Sequence, residues 1–152
     1  MAGIRRDSAT ALRLAIITMD GHLAGAAASA EANLRREWPG LRIELHSADQ
    51  FAADKAALAS CHEAIAQADI VVATMLFLEE HTKLVAPALA ARRAACDAMF
   101  CALSAAEIVK QTRFGRLDMA NEPGGALGLL KKLKGKREGT AKISAGESQM
   151  RL

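Results

Sequence analysis

The sequence predicts an α/β fold, a doubly wound sheet of about four parallel strands. Three observations predict it. Apolar runs of strand length alternate with longer, Ala-rich runs of helical period. The connections between them are short, as right-handed crossovers in one layered sheet require. The run DIVVATMLF (69–77) is apolar without a break, as a central strand buried on both faces must be.

The first strand is LRLAIITM (12–19), ending at Asp20 and Gly21. Two arginines precede it, but Arg13 interrupts the run and no small-residue cleavage site follows. It therefore reads as a strand and not a signal peptide, and the protein as cytoplasmic. Residues 22–38 form an Ala-rich helix with Leu23, Ala26, Ala27, Ala30 and Leu34 on one stripe, ended by Pro39 and Gly40. LRIELHSA (41–48) alternates apolar and polar, as a half-exposed edge strand does. Asp54 is placed to cap a helix over 55–68, with Leu58, Cys61 and Ile65 inward. After the strand at 69–77, a helix runs from about 78 to 95. Pro87 lies inside it and should kink or split it, because proline removes a hydrogen bond. DAMFCALS (97–104) is the fourth strand, and a helix follows to about 113. EPGG (122–125) signals a turn. ALGLLKKLKGKR (126–137) fits a short amphipathic basic helix, and the polar remainder a tail. The domain reading is an α/β domain over 1–119 and a basic linker, helix and tail over 120–152.

Right-handed connections allow a flavodoxin-like strand order, 2-1-3-4. That places 41–48 at one edge and 97–104 at the other, unless another strand follows. An apolar strand at an open edge invites pairing, so the expectation is a part of something larger, or a homo-oligomer through that edge.

At 152 residues the chain has the length of one domain, and 51% hydrophobic with 24% charged residues is a globular composition. No apolar run approaches the roughly 20 residues of a transmembrane helix. Cys61, Cys96 and Cys101 make no disulfide framework and read as buried thiols. Charge is uneven: residues 1–109 carry 10 basic and 13 acidic side chains, and residues 110–152 carry 10 and 4. A slightly acidic body precedes a basic tail.

In doubly wound sheets, ligands bind outside the carboxyl ends of the strands. Those ends supply the ligand-binding candidates Asp20, His22, Thr74, Glu80, His81, Ser104 and Glu107. Glu79, Glu80 and His81 together could hold a hard cation or a polar ligand. Glutamates in a first helical turn also simply favour the helix dipole. His22 could donate to a ligand or cap the chain locally. No catalytic residue and no metal-ligand set is assigned. DGHLAG is not GxGxxG, no GxxxxGK[ST] or GxSxG occurs, and no HExxH pair exists. The end of strand three carries Thr74 and Met75, where a phosphoacceptor domain would need Asp. KKLKGKR (131–137) has five cations but no interleaved aromatic, so no nucleic-acid partner is expected.

The segments IITMDGHLAG, ATMLFLEEH, PALAARRAACDAM, SAAEIVKQTRFGRLDM and LGLLKKLKGKR resemble the N-terminal region of the large (H), porphyrin-binding subunits of magnesium chelatases, related to cobalt chelatase large subunits. The resemblance covers nearly all of the chain, and the block 73–119 is its specific part. It implies ATP-dependent insertion of Mg²⁺ into protoporphyrin IX, the step that commits porphyrin to chlorophyll or bacteriochlorophyll. The high Ala and Arg content suits a bacteriochlorophyll-making bacterium. The implied partners are the remainder of the large subunit and the two ATPase motor subunits. Mg²⁺, ATP and protoporphyrin IX belong to the whole enzyme, with no cofactor in this chain. The family's large subunit is many times longer and its porphyrin cavity is built by later domains, so the resemblance implies a structural or interaction role here. Ala106 stands where the family's SAGEIV-like turn has Gly. The competing expectation is a stand-alone small-ligand or porphyrin-binding module at the strand ends.

Overall fold

The structure, a computed structural model, describes residues 11–121. The chain divides into two units, Met1–Ala120 and Asn121–Leu152. The architecture below is that of the first. The turn, amphipathic helix and tail expected beyond residue 121 lie outside the described residues.

Six strands form one sheet: β1 (Leu12–Thr18), β2 (Leu41–Ser47), β3 (Ile70–Thr74), β4 (Ala98–Ala102), β5 (Arg113–Phe114) and β6 (Leu117–Asp118). Their order is β2-β1-β3-β4-β5-β6. The first four are parallel, in the order the sequence predicts. The last two are antiparallel. The helices are α1 (Ala24–Leu34), α2 (Lys55–Gln67), α3 (Glu79–Arg92) and α4 (Ala106–Val109). Single 3-10 turns precede α1 and α2, at Gly21–Leu23 and Ala48–Gln50.

Strand alternation sorts the sheet into two faces. Ala15, Ile17, Val71, Ala73, Met99 and Cys101 face α2 and α3. With Cys61, Ala64, Ile65, Val85 and Leu89 they form the core. Ile17, Ile65, Leu89 and Met99 are fully buried, and each stabilises the fold by about 1.5–3 kcal/mol relative to an exposed side chain. Asp54 caps α2 as expected, accepting from the amides of Ala56 and Ala57 at 2.8 and 3.1 Å. The His62 ring lies 2.8 Å from the Leu84 carbonyl and ties α2 to α3.

Three elements depart from expectation. The helix α1 buries none of its residues, so the stripe through Leu23 and Leu34 is not a core face. An Ala-rich helix has little apolar area to drive docking, and this one only leans on β2 beside Ile43 and Leu45. Pro87 neither ends nor divides α3, which runs from Glu79 to Arg92. One lost hydrogen bond is tolerated where Val85 and Leu89 are buried on either side of it. The helix after β4 is a single turn, Ala106–Val109, because the chain then reverses into β5 and β6.

That reversal supplies the further strand that takes 97–104 off the edge. The fourth strand is not the rim of the sheet: Ala98 and Met99 pair with Phe114 and Arg113. Gly115 closes the hairpin at φ 56°, a conformation glycine adopts without steric cost. Beyond this short ladder the buried Thr112 takes over. Its hydroxyl accepts from the Cys101 amide at 3.0 Å and donates to the Cys101 carbonyl at 2.9 Å. A side chain thus stands in for a missing strand. At the opposite rim Glu31 of α1 accepts from the outward Ile43 amide of β2 at 2.9 Å. A carboxylate on an edge amide and a two-residue outer strand are both ways of blunting a sheet. The open apolar edge expected to carry a homo-oligomer is therefore absent from β4.

Candidate functional site

The carboxyl ends of β1 to β4 are where a doubly wound sheet offers a site. At the end of β1 the Thr18 hydroxyl accepts from the Asp20 amide at 3.1 Å, and Asp20 Oδ1 accepts from the His22 amide at 2.9 Å. Asp20 is thereby occupied as the cap of the turn Gly21–Leu23, and His22 is exposed. Gly21 lets this turn close on β2, since a Cβ there would stand 3.2 Å from Ser47 Oγ. Ser47 Oγ in turn donates to Asp49 at 2.6 Å. A cleft of about 130 Å³ opens here, lined by Gly21, His46, Ser47 and Phe51 among others. It is smaller than the roughly 300–1,000 Å³ of organic-ligand sites. Burial of His46 lowers its pKa from the ordinary histidine value, against the opposing pull of Glu44.

The ends of β3 and β4 are laced together. The Met75 amide donates to the Leu103 carbonyl at 2.8 Å, and the Leu76 amide to Ser104 Oγ at 3.1 Å. Ser104 Oγ donates to the Ala102 carbonyl at 3.0 Å, and the Ala105 amide to the Leu76 carbonyl at 2.8 Å. Ser104 is thus engaged in joining two loops. Thr74 is half-buried at the end of β3. Glu80 is exposed, with Oε1 3.6 Å from Nε2 of the buried His81. Glu79 pairs with Lys83 at 2.6 Å, one turn along the helix. Glu107 is exposed on α4. The fold thus brings Ser104 beside the β3 loop and sets Glu80 against His81. Asp20 caps its own turn through Oδ1 and Ser104 bridges the β3 and β4 loops, while His22 and Glu107 face solvent.

His46 Nε2, His81 Nδ1 and Thr82 Oγ1 are buried without a protein hydrogen-bond partner. Positions of this kind hold an ordered water or a ligand atom. Among the described residues no cluster of three or more His, Cys, Asp or Glu could hold a metal ion, and no helix is long and apolar enough to cross a membrane.

One feature of this edge escaped the sequence reading. Met75 and Leu103, joined by the bond just described, have φ of 62° and 48°. Left-handed backbone is unfavourable for side chains with a Cβ, by about 1–2 kcal/mol each. Both side chains are exposed, Leu103 to 72%, and so are Phe77 (61%) and Leu78. The signal in the sequence was run length: the apolar stretch through Leu78 outlasts β3, which stops at Thr74, by four residues. Electrostatically the same edge is acidic. The loops and helix starts after β1 to β4 carry Asp20, Asp49, Asp54, Glu79, Glu80 and Glu107 against Lys55, Lys83 and Lys110.

The three cysteines are free and buried. Burial pushes the thiols of Cys61 and Cys101 up to about 12. Thiolate is the reactive form, so the folded chain should leave these two unlabelled by a thiol-disulfide reagent at pH 8 and release them on denaturation. Fast labelling of both in the folded state would contradict this packing. The sign for stability follows: the unfolded thiols ionise first as pH rises past 9, so stability is full below that value and falls as pH climbs toward 12.

A family model described as "Domain of unknown function (DUF3479)" matches residues 13–152. The magnesium-chelatase H subunit of Cereibacter sphaeroides is 44% identical over 141 residues, covering 91% of this chain and 12% of that relative. The magnesium-chelatase H subunit of Rhodobacter capsulatus is 38% identical over 137 residues, covering 90% of this chain and 11% of that relative. The chain is homologous to the N-terminal region of these proteins and spans only a small share of their length.

Proposed function

The chain belongs to the family described as DUF3479, and from that premise we propose that it serves as the N-terminal domain of the porphyrin-binding subunit of a magnesium chelatase. Its role there is structural and interactive, not catalytic. The α/β domain over 1–119 would pack on the remainder of the large subunit or meet the two motor subunits, with 120–152 as a basic linker. Mg²⁺ and protoporphyrin IX are the substrates of the whole enzyme, and ATP drives the motor. The observation that carries the reading is 44% identity across 91% of the chain to a protein named for this activity. The strand ends support a non-catalytic role, because Asp20 and Ser104 already satisfy local backbone groups.

Mixed with the two motor subunits, ATP, Mg²⁺ and protoporphyrin IX, this chain alone should form no magnesium porphyrin by absorption spectroscopy. Insertion by these 152 residues would overturn the reading. The competing reading, a stand-alone porphyrin or small-ligand module at Asp20, His22, Thr74, Glu80, His81, Ser104 and Glu107, is separated by a porphyrin titration in the same mixture. A Soret shift lost in both His22→Ala and Glu80→Ala would favour it.

A further inference from the structure

The β3 and β4 loops carry four large apolar side chains, Met75, Phe77, Leu78 and Leu103, that the fold leaves in solvent. Scattered exposed apolar residues are ordinary, but these four sit on two loops cross-linked by three hydrogen bonds. Two of them occupy backbone positions that glycine would fill without strain. Strain of that kind gathers at clamps and contact sites, where the side chain is needed despite its cost. The lacing holds the cluster in one shape before any partner arrives, and preorganisation reduces the entropy lost on association. The ground around it is slightly acidic: Glu79 and Glu80 open α3 beside Leu78 and Glu107 follows Leu103 on α4, against Lys83, which pairs with Glu79, and Lys110.

We propose that this laced, acid-rimmed knob is a protein-docking surface, and that its partner is a polypeptide segment presenting apolar side chains flanked by lysine or arginine. The apolar centre would supply most of the affinity, and the acidic rim the orientation and the speed of encounter. The proposal goes beyond the chelatase assignment and does not depend on it. It names a surface and the chemistry of what covers it, with no reference to porphyrin or metal.

The test uses the full chain and two labelled amphipathic peptides, one of leucine and lysine at helical spacing and one of leucine and glutamate, followed by fluorescence anisotropy. The leucine–lysine peptide should bind with an affinity that falls as salt rises, and the leucine–glutamate peptide should not bind. Leu103→Gly should weaken binding about tenfold while melting no lower than the parent, because glycine relieves the left-handed strain. Phe77→Ser should weaken binding similarly, and the double variant Glu79→Gln/Glu80→Gln should flatten the salt dependence. Equal binding of both peptides would overturn the proposal. So would unchanged binding by Leu103→Gly, or a lower melting temperature in that variant. Binding to phosphatidylserine vesicles that Leu103→Gly abolishes would make the edge a lipid surface and overturn it as well. The assay contains neither porphyrin nor motor subunits, so its failure leaves the chelatase assignment standing, and insertion by the chain alone would leave the knob standing.

Discussion

Thr112→Val should destabilise the domain by about 2–6 kcal/mol, the cost of stranding two buried backbone groups at about 1–3 kcal/mol each. Valine matches threonine in shape, so packing changes little and the hydroxyl is isolated as the variable. In the parent that hydroxyl serves the amide and the carbonyl of Cys101 together, in a part of β4 that β5 does not reach. Thr112→Ser keeps the oxygen and should recover most of the loss. Denaturant midpoints should separate the three proteins with the slope unchanged. A valine variant within about 0.5 kcal/mol of the parent would mean that water already reaches Cys101.

The second large effect is Leu89→Ala on α3, expected to cost about 3 kcal/mol through lost burial and the cavity left behind. Leu89 is fully buried among residues of α2, α3 and the sheet. Leu34→Ala on α1 is its counterpart. That leucine is 38% exposed on a helix with no buried residue, and its removal should cost no more than about 0.5 kcal/mol. Both leucines look alike in the sequence, each within an Ala-rich helical run. A reversed ranking in thermal or denaturant unfolding would show α1, not α3, sealing the core.

That pair also marks how much could be read without coordinates. The four parallel strands followed from run length and alternation and their order from right-handed connections, although β3, apolar from Ile70 to Ala73, buries fully only the face of Val71 and Ala73. Asp54 announced its helix for an equally local reason, a carboxylate placed two and three residues before free amides. The hairpin of β5 and β6 was invisible, since two residues are too few to show alternation. The idle stripe of α1 misled because alanine satisfies helical periodicity without requiring burial. At the strand ends the sequence marked polar residues by type but not by engagement. Nothing in the letters distinguishes an Asp20 or Ser104 spent on neighbouring amides from one facing a ligand. The left-handed turns at Met75 and Leu103 were hidden because neither residue type belongs there.

The two rims of the sheet have a consequence for how such a domain can be joined to others. With Glu31 occupying one outward amide of β2 and the other rim reduced to the two-residue β6, hydrogen-bonded growth is curtailed at both rims. A polypeptide that gains or loses flanking sequence can then carry this unit without offering it strands to exchange. Its neighbours must meet it through loops and helices, as separately folded bodies. That makes the unit portable: it can be attached, moved or duplicated in a longer chain with its own sheet left intact.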